Sequence, residues 1–376
     1  MNMNFTELKK MHFDSWLLFL TILLVGCGVI MVYSSSAVLA QERFGDSYFY
    51  LKRTLAFAVV GFIAMAIALK VPYRIYYRLV YPILIGSLIL VFLVFIPQIG
   101  KTIGGATRWI NLGPVAFQPS ELAKVAMIIF LAYSLEKKAE KIRSFSIGLV
   151  PHLLVMFVVA GSILAQKDFG AAAMIAAITW FMLFAAGAKK SYLFGMIALL
   201  IPFAYMFLSL EGYRKRRILA FLNPWSDQYG AGFQIIQSFV AFNEGGWLGR
   251  GLGEGRQKLF YLPEAHTDFI FSVIGEEMGL IGVIAVIVLF ALFCYRGLHI
   301  ALQAPDMFGR YLATGGTLLI CLSAVFNMGV VMGLLPTKGM VLPFISYGGS
   351  SLVVLLVVVG ILLNISSYKR VEEVNI

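Results

Sequence analysis

The chain has 376 residues, of which 60% are hydrophobic and 13% charged, with a mean hydropathy of +0.87. A soluble globule carries about a quarter of its residues as charged side chains because its surface must face water, so this composition excludes a set of soluble domains. The formal net charge of +11 does not point to nucleic acid, since the Lys and Arg sit between apolar runs and form no basic stripe with interleaved aromatics.

Apolar runs of helix-spanning length follow one another at 15–39, 54–69, 79–96, 121–135, 146–165, 171–187, 192–210, 268–295, 311–335 and 345–367. They do not alternate with period two, which excludes a transmembrane β-barrel. The first run ends in Ala37-Val38-Leu39-Ala40, faintly like a cleavage site, but it is too long for a cleaved signal and reads as a retained helix. An even number of spans puts both termini on one side. The short connectors on that side carry roughly twice as many Lys and Arg as those opposite, so the termini are expected in the cytoplasm. The expected fold is an all-α polytopic membrane protein forming a single integral-membrane domain over 1–376. It has about ten transmembrane helices and a large periplasmic loop, about 211–267, between helices 7 and 8. Cys27, Cys294 and Cys321 all lie inside apolar runs and read as small buried hydrophobes.

In chain order, the first polar feature is Thr107-Arg108-Trp109, followed by Gln118-Pro119-Ser120-Glu121-Leu122-Ala123-Lys124. Pro119 suits the first turn of a helix, and Glu121 and Lys124 then share one face. They form either a structural ion pair or one polar wall of a cavity, with Arg108 and Lys124 available to a diphosphate. Asp168 sits at a tight turn, as a cap or a functional carboxylate. The long connector opens with Arg214-Lys215-Arg216-Arg217, which suits either lipid phosphates or an anionic substrate. A turn at Asn223-Pro224-Trp225 and a glycine-rich stretch with Gly245, Gly246, Gly249, Gly251, Gly253 and Gly255 come next.

Tyr261-Leu262-Pro263-Glu264-Ala265-His266-Thr267-Asp268-Phe269 delivers Asp268 to the mouth of the eighth span. A half-desolvated carboxylate there has the environment wanted of a general base, while a helix N-cap remains the simpler alternative. Glu264 and His266 are too few for a metal site. Glu276 and Glu277 lie deeper. Either they pair with cations in the bundle or the membrane begins later than the apolar run. Between the last two spans, Leu335-Pro336-Thr337-Lys338-Gly339-Met340-Val341-Leu342-Pro343-Phe344-Ile345-Ser346-Tyr347-Gly348-Gly349-Ser350-Ser351 implies irregular backbone at membrane depth. That is tolerated only inside protein or along a wet cavity. No Walker A ending follows Gly251–Lys258, and no Asp-x-Asp, Gly-x-Ser-x-Gly or His-Glu-x-x-His occurs, so no nucleotide is expected and the substrate arrives activated.

The stretches Gln118–Lys124, Phe221-Leu222-Asn223-Pro224-Trp225, Gly255–Phe271 and Leu342–Ser350 together resemble the SEDS family (shape, elongation, division and sporulation) across nearly the whole chain. Leu334–Met340 is similar to its FtsW, or division, branch more than to its RodA, or elongation, branch. The resemblance implies a multi-pass peptidoglycan glycosyltransferase of the bacterial inner membrane. Such an enzyme polymerises lipid II with undecaprenyl diphosphate as leaving group, and on this branch it works at the division septum. Its implied partners are a class B penicillin-binding protein (the transpeptidase), other divisome proteins and membrane lipids. The family's catalytic Asp falls on Asp268, and its cavity-lining Arg, Glu and Lys fall on Arg108, Glu121 and Lys124. Arg256, Lys258, His266, Lys338, Ser346 and Ser350 complete the expected substrate-binding set. A divalent cation, magnesium or manganese, is a candidate cofactor with no assigned ligands. The chain departs from the family at Lys167-Asp168-Phe169-Gly170, where Pro-Asp-Leu-Gly is usual, and in the charges of Arg250 and Glu254. A lipid II flippase, an elongation-type polymerase and a non-catalytic scaffold are the competing readings.

Overall fold

A computed structural model describes residues 8–10, 12–103, 106–111, 113, 115–209, 220–230, 232–259, 262–336 and 339–370. Among these, the ten expected spans are helical: α1 (Ser15–Phe44), α2 (Phe49–Lys70), α4 (Val80–Leu93), α5 (Pro119–Lys137), α6 (Val150–Ala165), α7 (Phe169–Ala185), α8 (Lys190–Ser209), α10 (Ile270–Gln303), α11 (Met307–Val331) and α12 (Gly349–Ser366), with a short α3 (Arg74–Arg78) and an additional α9 (Phe233–Gly245) between them. By length and apolarity α1, α2, α10, α11, α12 and the stretch Phe145–Ala165 are each sufficient to cross a membrane, and α4 and α7 are shorter apolar helices. The chain is a multi-pass membrane protein. α12 is buried along nearly its whole length at the centre, against α2, α11 and α5. α2, α4 and α10 turn rows of Ile, Val and Phe outward, as lipid-facing helices do.

The first and last described strands lie together at one end of this bundle. Strand β1 (Leu8–Lys10) pairs antiparallel with β5 (Tyr368–Arg370), Leu8 opposite Arg370. At the opposite end, here the mouth, β2 (Gly100–Ile103), β3 (Ala106–Asn111) and β4 (Ala116–Phe117) form a small antiparallel sheet that leads directly into α5. Apolar periodicity alone does not announce these strands, which are two to six residues long.

The long connector between the seventh and eighth spans carries a helix of its own. Within it, α9 packs along the first turns of α10 and runs in the same direction. Phe242 meets Phe271 edge-on, and a Cβ on Gly245 would lie 1.9 Å from the Gly275 carbonyl oxygen, so only glycine permits this approach. Beyond α9, the 246–251 segment bonds to α10 where that helix breaks at Gly279 (φ 64°). Arg250 and Gly251 donate backbone N–H bonds to the Glu276 and Glu277 carbonyls (both 3.0 Å), and Leu280 donates to Gly246 (2.9 Å). The break therefore leaves these backbone groups satisfied. α9 was hidden because its apolar face is only a few residues wide and is flanked by polar, glycine-rich chain. The basic cluster 214–217 and Lys338 lie outside the described residues.

The same helix shows where the lipid begins. Residues 270–277 are enclosed by protein, whereas from Met278 onward apolar side chains are exposed. Near the other end Arg296 bonds Asp14, the N-cap of α1. From 278 to 296 the rise is about 27 Å at 1.5 Å per residue, close to a hydrocarbon core of about 30 Å. Glu276 and Glu277 therefore sit in the protein-enclosed stretch that precedes the lipid-facing one, and Glu277 also pairs with a buried cation, Lys258.

Candidate functional site

Asp268 is placed by a tight turn around Glu264, whose backbone is left-handed (φ 56°). The Glu264 carbonyl accepts the N–H groups of Thr267 (3.1 Å) and Phe269 (3.3 Å), and its carboxylate accepts the Thr267 hydroxyl (2.8 Å). Asp268 emerges half-buried from this turn. The N-cap alternative does not describe it: the cap position of α10 falls on Phe269, and no side chain closes it. The irregular 339–348 segment lies against the turn. A Cβ on Gly339 would sit 2.8 Å from Asp268 Oδ2, and Tyr347 donates its backbone N–H to the His266 carbonyl (3.0 Å). From below, the Asn327 carboxamide donates to the carbonyls of Asp268 (2.8 Å) and Met340 (2.5 Å).

Among the expected substrate-binding residues, His266 and Ser346 are buried against neighbouring groups. His266 is buried between the rings of Tyr50 and Tyr347 (centroids 4.6 and 5.9 Å away). Burial holds its pKa below the usual imidazole value, an effect that nearby Arg43 reinforces and Glu264 opposes. Ser346 Oγ is buried and accepts the Leu342 N–H (2.8 Å), closing a turn.

Glu121 and Lys124 pair at 2.8 Å, both buried, and Ser351 at the start of α12 donates to the other Glu121 oxygen (3.2 Å). The irregular segment thus touches the Asp268 turn at Tyr347 and the α5 ion pair at Ser351. Asp168 caps α7 through the Ala171 N–H (3.1 Å), while its second oxygen accepts from Gln118 (2.9 Å) and Ser120 (3.2 Å). It is a cap, and it also braces the entrance to α5, which its place in the sequence did not reveal.

Lys258 has partners of its own. Expected as a cation for substrate, it is buried in an ion pair with Glu277 (2.7 Å) and also donates to the Gly253 carbonyl (2.7 Å). Ser34 of α1 donates to the same carboxylate (2.7 and 2.6 Å). Glu276 accepts the backbone N–H groups of Arg256 (2.6 Å) and Gln257 (3.2 Å). The two glutamates thus hold the 253–258 loop against α10 and α1, and they leave Arg256 exposed on the outer side. Arg108, half-buried on β3, has a buried Nε without a hydrogen-bond partner. Ser350, buried in the first turn of α12, completes the described members of the expected set.

A cavity of about 420 Å³ opens between the loop and α1, lined by Tyr33, Ser34, Ala37, Arg256 and Lys258 among others. Among the described residues no three His, Cys, Asp or Glu side chains gather as a metal cage. A divalent ion at the mouth would therefore take most of its ligands from water or substrate phosphates.

Over residues 15–371 the chain matches the model of the family described as Cell cycle protein, FTSW_RODA_SPOVE. It is 50% identical over 369 residues to the "Probable peptidoglycan glycosyltransferase FtsW" of Geobacter metallireducens, covering 98% of each chain. It is 44% identical to the "Stage V sporulation protein E" of Bacillus subtilis, covering 96% of this chain and 99% of that one. Among solved structures, a chain described under "Structural coordination of polymerization and crosslinking by a peptidoglycan synthase complex" superposes with a TM-score of 0.77 at 31% identity, covering 94% of this chain and 97% of that one. The Thermus thermophilus rod shape determining protein RodA superposes with a TM-score of 0.71 at 26% identity, covering 96% and 98%. With a family match that spans almost every described residue and relatives this similar end to end, the chain belongs to the FtsW/RodA/SpoVE family of cell cycle proteins.

Proposed function

We propose that this protein is a peptidoglycan glycosyltransferase that polymerises lipid II at the outer face of the cytoplasmic membrane, in the division branch of its family and at the septum. The relatives named as peptidoglycan glycosyltransferases support the activity. The termini lie in the cytoplasm on this reading, following the excess of Lys and Arg in the short connectors on their side. Asp268, at the opposite end, then faces the periplasm. A class B penicillin-binding protein is the partner that cross-links the product, and the likeness to a chain from a peptidoglycan synthase complex supports that pairing.

In the reaction the 4-hydroxyl of one sugar attacks the anomeric carbon of another. A C–O bond forms, the bond to the undecaprenyl diphosphate breaks, and the hydroxyl proton passes to Asp268. General-base catalysis of this kind contributes roughly 10²–10⁴ in rate. Arg108 and Arg256 stabilise charge developing on the diphosphate. Glu121 and Lys124 hold the α5 wall, since each neutralises the other.

The observation that carries this reading is the distribution of buried charge. Among the described residues, the buried charged side chains of the spanning helices (Glu121, Lys124, Glu276, Glu277) all lie at the mouth, and half-buried Glu136 and Arg296 lie at the terminal end. The interval between them holds only apolar and hydroxyl or amide groups. A flippase needs polar groups along its whole path. Purified protein supplied with lipid II, alone and with its transpeptidase, is expected to form glycan strands scored by length. Translocation of lipid II without polymer in either case would replace this reading with a flippase.

A further inference from the structure

Asn327 lies on α11, one turn before its end, and is 1% exposed. Its Nδ2 group is the only described donor shared by two segments that meet at Asp268: it reaches the Asp268 carbonyl at 2.8 Å and the Met340 carbonyl at 2.5 Å. The orientation is fixed, because the opposite setting would press Oδ1 against two carbonyl oxygens. Oδ1 itself is buried with no hydrogen-bond partner. The two donors tie together backbone segments that are distant in sequence. What the donors determine is register. One residue before Met340, Gly339 faces Asp268 Oδ2 with room for no Cβ beyond 2.8 Å. The backbone spacing set by Asn327 therefore decides where the carboxylate points.

We propose that Asn327 is a positioning residue for Asp268, holding the 268 and 340 backbones at the separation that aims the carboxylate at the acceptor hydroxyl. This rests on Asp268 as general base. Both sides of the register are open to test. Asn327→Asp keeps the shape and removes the donors, Asn327→Ser keeps one short donor without adding charge, and Gly339→Ala introduces a methyl against Oδ2 from an exposed position with no left-handed backbone.

With the full-length protein in vesicles and lipid II as substrate, each variant is expected to lower kcat by roughly 10- to 100-fold, the scale of a misplacement of about 1 Å. KM should stay within about twofold, and the thermal midpoint of Gly339→Ala should stay at the wild-type value. Wild-type kcat in Asn327→Ser and Gly339→Ala, or a raised KM with kcat preserved, would overturn the proposal. Should Asn327→Asp not fold, the other two variants decide. Asp268→Asn, measured alongside, separates the two levels: an inactive Asp268→Asn with wild-type Asn327 variants removes only the positioning role, whereas wild-type turnover in Asp268→Asn removes the base itself.

Discussion

At the terminal end of the bundle, Asp14 and Asp306 each cap a helix and hold an arginine. Asp14 accepts the Leu17 N–H (2.8 Å) and pairs with Arg296, while Asp306 accepts the Gly309 N–H (2.7 Å), the Tyr73 hydroxyl (2.6 Å) and Arg74 (3.1 Å). Every oxygen of these two carboxylates has an assignment that the fold itself needs. At the mouth, Asp168 and Glu277 are used in the same way, while Asp268 sits in a turn that the backbone of a second segment braces. Its helix has no side-chain cap, Asn327 joins the Asp268 and Met340 carbonyls, and a Cβ on Gly339 would lie 2.8 Å from its Oδ2. The difference teaches where each geometry comes from: the first two acids are set by the helices they cap and the arginines they hold, and Asp268 by the backbone contacts of the turn that carries it.

Substitutions at the two ends should therefore separate activity from stability. The largest effect is expected for Asp268→Asn, a loss of about 10²–10⁴ in polymerisation rate with a thermal midpoint near wild type, read by glycan formation per folded molecule. Lys258→Met comes next. It leaves the Glu277 carboxylate buried without its cation, which costs about 3–5 kcal/mol, so the thermal midpoint in detergent should fall steeply, and Lys258→Met combined with Glu277→Gln should recover part of it. Asp306→Ala removes a cap worth about 0.5–2 kcal/mol; it should lower the midpoint while leaving turnover per folded molecule unchanged, the mirror image of Asp268→Asn.

The smallest effect concerns pH. Burial among Tyr50 and Tyr347 lowers the His266 pKa, with Arg43 acting in the same direction and Glu264 against it. The unfolded chain then binds a proton more readily than the folded one, so this residue's contribution is present above the unfolded value of about 6.5 and is lost as pH falls below it. Thermal midpoints measured from pH 7.5 down to 5.5 should fall less in His266→Phe than in wild type.

Much of this arrangement is legible in the sequence, for identifiable reasons. The ten spans stand out because lipid demands long apolar runs, and Glu121 with Lys124 pairs as helical spacing dictates. The irregular approach to α12 is announced by Pro336, Pro343 and Gly348-Gly349. α9 and the α10 break are not legible, because one depends on a short amphipathic face and the other on the meeting of Gly249 with Gly279, distant in sequence. The pairing of Lys258 is not legible for a related reason: its sequence neighbours are basic and glycine-rich, while its partner is Glu277 in a helix that the sequence places deeper in the membrane. Asn327 gives no signal beyond an amide in an apolar run, which in hindsight is itself a cue, since such a group must find partners.

The acid limb of the turnover profile tests the central claim most directly. If Asp268 takes the hydroxyl proton, wild-type kcat should fall on acidification as that carboxylate protonates, and the residual rate of Asp268→Asn should lack this limb. The same limb in both proteins would contradict Asp268 as the base.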